Sequence, residues 1–327
     1  MPGGCDIIFC MQTHMKAAVV THYGGPDVFE VVQVPVLKPK ATEVLIRVQA
    51  SSVQAGDARI RRADPAIIRL VYGWQRPRYT LGVAAVGEVV AVGNQVRNYA
   101  VGQQVFGMTG FSMGGYAEYL LVKDKSSMAA LPSGVSVTAA AAIPFGGMTA
   151  QFFLDKAQVR SGQRVLVIGA GAVGSAAMQL AVARGATVTG VAHTAVVTFL
   201  QERGVTKVLD YKKESLSQLT DSYDVIIDTV NRSWTTAAES LLAAGGRYVL
   251  INAGFGAIAQ SWFRPQRLTG VAIDTRELIE TVSQLVTAGA LVPLVDSVYP
   301  LSAIAAAHEK YEAGGCRGVV VISPMTA

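Results

Sequence analysis

The run Gly169-Ala170-Gly171-Ala172-Val173-Gly174 constrains this chain more than any other feature, because of what flanks it. Val165-Leu166-Val167-Ile168 before it is a short apolar β-type run, and Met178, Leu180 and Ala181 after it continue with helical spacing up to Arg184. Strand, glycine turn and helix in that order make a phosphate-binding turn. Gly169 permits the tight turn, Gly171 lets the backbone approach a pyrophosphate, and Gly174 lets helix and strand pack closely. The helix N-terminus adds N–H groups and positive potential.

Residues 165–183 carry no charge over 19 positions, enough for one bilayer-spanning helix. The glycine cluster inside the run favours strand, turn and helix instead, so no membrane partner is expected.

Downstream, apolar strands alternate with helix-length segments. Strands are predicted at 164–168, 187–192, 207–209, 225–228, 247–251 and 270–273, the six of a complete doubly wound parallel sheet. Upstream, from 15 to about 132, short β-type runs such as 16–20, 44–48 and 86–92 are separated by Gly, Pro and Asp, which predicts a compact, mostly β domain. A further helix at 302–312 and a strand at 318–322 exceed what the parallel sheet needs, and the tail is expected to return to the first domain.

A chain of 327 residues suits two such domains. With 51% hydrophobic and 16% charged residues it buries a sizeable core. The net charge of +5 comes from 28 basic and 23 acidic residues without a continuous basic run, so nucleic acid is not an expected partner. Cys5, Cys10 and Cys316 form neither a metal pair nor a disulfide framework, and the first fourteen residues lack the basic and apolar regions of an export signal. A reducing cytoplasm is the expected location.

A site selective for NAD usually places Asp or Glu about 20 residues beyond the glycines, on the ribose 2′-hydroxyl. Thr189-Gly190-Val191-Ala192-His193-Thr194 has no carboxylate, which favours NADPH, with NADH as the alternative and His193 and Thr194 as contacts to the 2′-phosphate. Tyr119 and Lys123 spell the Tyr-x-x-x-Lys pair of another dehydrogenase class. They fall on a probable strand, where about 3.3 Å per residue holds them roughly 13 Å apart. His14, His22 and His308 have no ligand-spaced partner, and Cys316 reads as a structural or surface thiol.

Several segments, in order, resemble the medium-chain dehydrogenase/reductase superfamily, and within it the zinc-free quinone oxidoreductase group that includes the zeta-crystallins. They are Met15-Lys16-Ala17, the run from Ala50 to Asp57, Leu81-Gly82 with Gly87-Glu88-Val89-Val90-Ala91-Val92-Gly93, Val101-Gly102 with Val105-Phe106-Gly107, and Gly114-Gly115-Tyr116-Ala117-Glu118-Tyr119. The resemblance implies an α/β chain made of a GroES-like, mostly β catalytic domain (15–135 and 291–327) and a six-stranded Rossmann domain (136–290), after an N-terminal extension (1–14). Zinc-dependent members carry His and Glu where this chain has Val83 and Ala84. With no cysteine near Val53 and no four-cysteine lobe, zinc is not expected.

The resemblance also implies site residues. Thr149, Gly169, Gly171, Ala172, Val173 and Gly174 would line the dinucleotide, joined by His193, Thr194, Tyr211, Asn252 and Gly254. Tyr211 matches a family contact to the 2′-phosphate, whereas Val196 stands where a Lys or Arg is usual. Gln54 replaces a common Asn near the nicotinamide, and Asn231 replaces the glycine of a turn after Asp228. Gln54, Arg59, Tyr72 and Thr109 are the substrate-side candidates. The implied activity is zinc-independent hydride transfer from NAD(P)H to a small molecule, a quinone or an activated alkene. The alternatives are a zinc-free alcohol dehydrogenase or enoyl reductase, and a catalytically silent NADPH-binding sensor or structural protein. Pairing of the last Rossmann strand across a two-fold axis implies a homodimer.

Overall fold

Runs rich in Val, Ile and Ala form strands along the N-terminal part, two of which continue through Gly87 and Gly107. The computed structural model describes residues 13–230, 235–251 and 266–325. The first strands are β1 (His14–Val20), β2 (Phe29–Pro35), β3 (Glu43–Ser52), β4 (Ala84–Val92), β5 (Gln104–Met108), β6 (Tyr119–Lys123) and β7 (Met128–Ala130). Then come β8 (Arg164–Ile168), β9 (Thr187–Ala192), β10 (Lys207–Asp210), β11 (Tyr223–Asp228), β12 (Leu242–Leu250) and β13 (Arg267–Thr269), followed by β14 (Val295–Pro300) and β15 (Val319–Ser323). The described residues divide into two units. One holds those up to Phe145 with Asp274–Ser283 and the tail from Val295, and the other holds Gly146–Ile273 and Gln284–Leu294.

The long strand β3 organises the first unit. It runs antiparallel to β4 from Val44↔Val92 to Ser51↔Ala85, takes β6 along its first half, and at its end pairs Ser52 and Ser51 with Val321 and Ile322 of β15. Of its side chains, Val44, Ile46 and Val48 pack with Val89, Val105 and Leu120, and Leu45 packs with Val90 and Ala91. Leu81, Tyr116, Val320 and Ile322 belong to a separate cluster. Each fully buried Val, Leu or Ile contributes about 1.5–3 kcal/mol before entropy is counted. Tyr119 and Lys123 are the two ends of β6, the extended geometry that keeps phenol and amine apart.

In the second unit all pairings are parallel, and the order β10-β9-β8-β11-β12-β13 is that of a doubly wound Rossmann sheet. Central β8 buries Val165, Leu166, Val167 and Ile168 completely, as a parallel strand covered on both faces does. The uncharged run 165–183 is strand, turn and the helix Ala172–Ala183, and no helix among the described residues is long and apolar enough to cross a membrane.

The sixth strand differs from expectation. It is Arg267–Thr269, pairing Tyr248↔Arg267 to Leu250↔Thr269, rather than 270–273. Gly270 at φ +140° turns the chain out of the ladder, and Val271 and Ile273 are 85% and 66% exposed, so their apolarity does not mark a packed strand face. Similarly, the helix expected at 302–312 begins with a tight turn, Leu301–Ala303, and is α-helical over Ile304–Glu312.

Candidate cofactor and substrate sites

The glycine turn is specified by contact distances. A Cβ on Gly174 would lie 1.9 Å from the Gly169 carbonyl oxygen, and one on Gly169, at φ +93°, would lie 2.5 Å from Thr229 Oγ1. Both positions exclude any side chain. Gly171 differs, since a Cβ there would meet nothing within 4 Å and its φ of −72° suits any residue. No contact among the described residues requires glycine at 171, whereas a pyrophosphate laid against the backbone would. Gly171 also caps the helix Ala172–Ala183 without any side-chain hydrogen bond, which leaves the amides of its first turn without a side-chain cap among the described residues. Gly146 backs the turn, with its Cβ position 2.4 Å from the Ala172 carbonyl oxygen; sequence reading missed it. Thr149 follows three residues later on the same helix, Pro144–Lys156, and is buried.

His193 and Thr194 leave the end of β9, and Tyr211 leaves the end of β10. The parallel register sets Asp210 beside Ala192, and the Tyr211 amide donates to the Ala192 carbonyl at 3.1 Å. The His193 and Tyr211 rings meet edge to face with centroids 5.8 Å apart. The second strand ends without a carboxylate. The third strand supplies one, because the Thr194 hydroxyl donates to Asp210 at 2.6 Å. That bond, helped by the Lys212 amide and the Lys213 ammonium, holds the Asp210 carboxyl below its usual range. Val196 is buried, a poor place for an unpaired cation, and Lys212 and Lys213 bring positive charge to the same end of the sheet.

In the first unit, Gln54, by way of Asp57, and Thr109 are both linked to Gly82. Gln54 is buried, its amide group donates to Ser52 Oγ at 2.8 Å, and its backbone N–H donates to Asp57 at 3.2 Å. The other Asp57 oxygen accepts from the Gly82 amide at 2.9 Å, and Thr109 donates to the Gly82 carbonyl at 3.2 Å. Tyr72 is half-buried, and burial together with the Asp57 charge raises its phenol. Arg59 stands apart, exposed on the last turn of the helix Ala55–Arg62.

Asp57 is the residue that sequence reading quoted only as part of a motif. Complete burial pushes its carboxyl up to about 7, against the pull of hydrogen bonds from Gly82, Tyr116, Gln54 and Val83. Nearby, the buried Arg61 guanidinium pairs with Glu312 and donates to the Gly24 carbonyl at 2.7 Å. His308 packs between Phe29 and Tyr116, at ring distances of 4.7 and 5.6 Å, and burial pushes its imidazole down to about 3.

Asn252, Gly254 and Asn231 lie outside the described residues. Val83 and Ala84 occupy the zinc-ligand positions, and no three His, Cys, Asp or Glu side chains come together as a metal-holding group among the described residues.

Two family models match the chain, an alcohol dehydrogenase GroES-like domain over 40–133 and a zinc-binding dehydrogenase over 203–322. A quinone oxidoreductase of Sus scrofa is 32% identical, covering 91% of this chain and 94% of that protein. The chain belongs to the zinc-independent quinone-oxidoreductase group of the medium-chain dehydrogenase/reductase superfamily. It is an NAD(P)H-dependent oxidoreductase of that group. An NADPH-dependent alkenal/one oxidoreductase of Arabidopsis thaliana is 29% identical over 95% of this chain and 80% of its own length. Among solved structures, the quinone oxidoreductase from Coxiella burnetii superposes with a TM-score of 0.86 at 28% identity, covering 95% of this chain and 99% of that one.

Proposed function

We propose that this chain is a zinc-independent reductase that uses NADPH to reduce quinones or activated alkenes. The observation that carries the reading is Gly171, a glycine with open space at its Cβ position at a helix start that no side-chain hydrogen bond caps, as the close approach of a pyrophosphate to the backbone needs. In this reading Gly169, Gly171, Ala172, Val173 and Gly174 hold the pyrophosphate and Thr149 lies against the cofactor. His193, Thr194 and Tyr211 face its adenosine ribose, and Asn252 and Gly254 complete the line. The names of the relatives support quinones and enones as acceptors.

Bound NADPH supplies the hydride. The protein's part is to position the acceptor and to stabilise the oxyanion that develops on it. Gln54 and Tyr72 are the proposed donors for that charge. Thr109, whose hydroxyl donates to the Gly82 carbonyl, is a positioning residue on the same side, and Arg59 is an outlying candidate. Most of the effect is positional, so Gln54→Ala lowers turnover without abolishing it. A homodimer through the exposed edge strand β13 belongs to the same proposal, and a monomeric mass in solution removes that part.

The test is the oxidation of NADPH, with NADH alongside, by metal-stripped protein against phenanthrenequinone and a set of α,β-unsaturated ketones. Turnover with NADPH supports the reading. Turnover of alcohols alone would reassign the chain as an alcohol dehydrogenase, and tight binding without turnover would make it a silent NADPH-binding protein.

A further inference from the structure

The short helix Ile68–Tyr72 has two apolar faces. Ile68 and Tyr72, one turn apart, pack on the core that contains Leu81 and Tyr116. On the other side Ile67, Leu70, Val71 and Trp74 are 57–71% exposed, and Tyr79 is 54% exposed. Single exposed apolar residues are ordinary, but five within one short segment form a patch that calls for a partner.

The segment is built rather than loose. Gly73 takes φ +134°, where a Cβ would lie 2.3 Å from the Arg76 carbonyl oxygen. Its own carbonyl accepts from the Tyr23 hydroxyl at 2.5 Å, and the Arg78 amide donates to the Tyr72 carbonyl at 2.8 Å. The Arg69 guanidinium lies over the Tyr23 ring at 4.8 Å.

Charge is concentrated at the same place. Between Ala58 and Thr80 there are six arginines and one acid, Asp64, so this stretch holds as much net positive charge as the whole chain. Arg61 is buried on Glu312, and Arg62 shares that carboxylate at 3.5 Å. Arg76 and Arg78 are exposed and Arg69 half-exposed within the apolar segment itself.

We propose that residues 67–79 form an interfacial surface that docks on anionic lipid headgroups. Leu70, Val71 and Trp74 enter the headgroup–acyl boundary and Arg76 and Arg78 meet lipid phosphates. Tryptophan and tyrosine favour that boundary. A two-fold contact with a second copy would set the same arginines against one another, and a purely acidic protein surface would leave the apolar face uncovered. The sequence reading set membranes aside on spanning segments and export signals; this contact needs neither, and it is independent of the acceptor that the enzyme reduces.

The test uses the full chain and sedimentable vesicles of phosphatidylcholine, with and without phosphatidylserine. The protein should pellet with the anionic vesicles only and be released by high salt. The double variants Leu70→Ser/Trp74→Ser and Arg76→Glu/Arg78→Glu should each bind at least about tenfold more weakly, with melting temperatures unchanged because the positions are exposed. Failure of the wild type to pellet at low salt overturns the proposal. Full binding by Leu70→Ser/Trp74→Ser also overturns it, by reducing the site to a general polyanion surface, and so does a wild-type dimer that this variant converts to monomer.

Discussion

In the Rossmann unit the candidate cofactor turn is made of backbone, with Gly169, Gly174 and Gly146 set by contacts that leave no room for a side chain. The β-rich unit instead surrounds its candidate site with buried ionisable groups, Asp57, Arg61 and His308, each fully removed from solvent. Backbone geometry of the first kind is insensitive to pH and intolerant of volume. Buried charge of the second kind tolerates shape but depends on partners and protons. The contrast makes the two units vulnerable to different perturbations.

The largest effect is expected in the β-rich unit. Glu312→Ala leaves the Arg61 guanidinium buried without its counter-charge, which should cost about 3–5 kcal/mol in urea unfolding monitored on that unit. A loss below about 1 kcal/mol would place the pair among ordinary surface bridges.

The matching perturbation of the Rossmann unit is one of volume. Gly174→Ala forces a Cβ against the Gly169 carbonyl and should weaken NADPH binding at least about a hundredfold, roughly 3 kcal/mol, in a fluorescence titration. Gly171→Ala sharpens the point. It should leave the melting temperature unchanged while weakening NADPH, and unchanged affinity would mean that no phosphate approaches residue 171.

The third expectation concerns protons. Asp57 is raised from 3.8 to about 7 in the folded protein, so its contribution to stability is full below about pH 4 and is lost as pH rises to 7. His308 is lowered from 6.5 to about 3, so its contribution is full above pH 6.5 and is lost as pH falls towards 3. Between pH 4 and 6.5 the two slopes oppose each other. Asp57→Asn should uncover stability that rises with pH, and His308→Leu stability that falls, each by roughly 3 kcal/mol across the window. Parallel slopes in the two variants would refute the assignment.

The smallest effect returns to the Rossmann unit, at the carboxylate that meets Thr194. Asp210→Asn keeps the acceptor for Thr194 but removes the charge. It should shift preference towards NADPH over NADH by about fivefold in a comparison of the two dissociation constants. An unchanged ratio would exclude Asp210 from cofactor selection.

How legible each site was follows from the same difference. The glycine turn lies within six consecutive residues between a strand and a helix, and local spacing was enough to find it. The sixth strand was misplaced because Val271 and Ile273 look like strand residues, although Gly270 has already turned them into solvent. Asp57 was visible only as a letter in a motif, since its partners Gly82 and Tyr116 come from distant turns.

The sequence by itself determined the order of strands and helices in the dinucleotide-binding domain and its parallel sheet. These follow from residue types at neighbouring positions. Only the tertiary structure placed Asp210 against Thr194, Asp57 between Gln54 and Gly82, and the apolar face of 67–79 among arginines. Such pairings depend on strand register and on which side of each element meets water, and no local pattern specifies either.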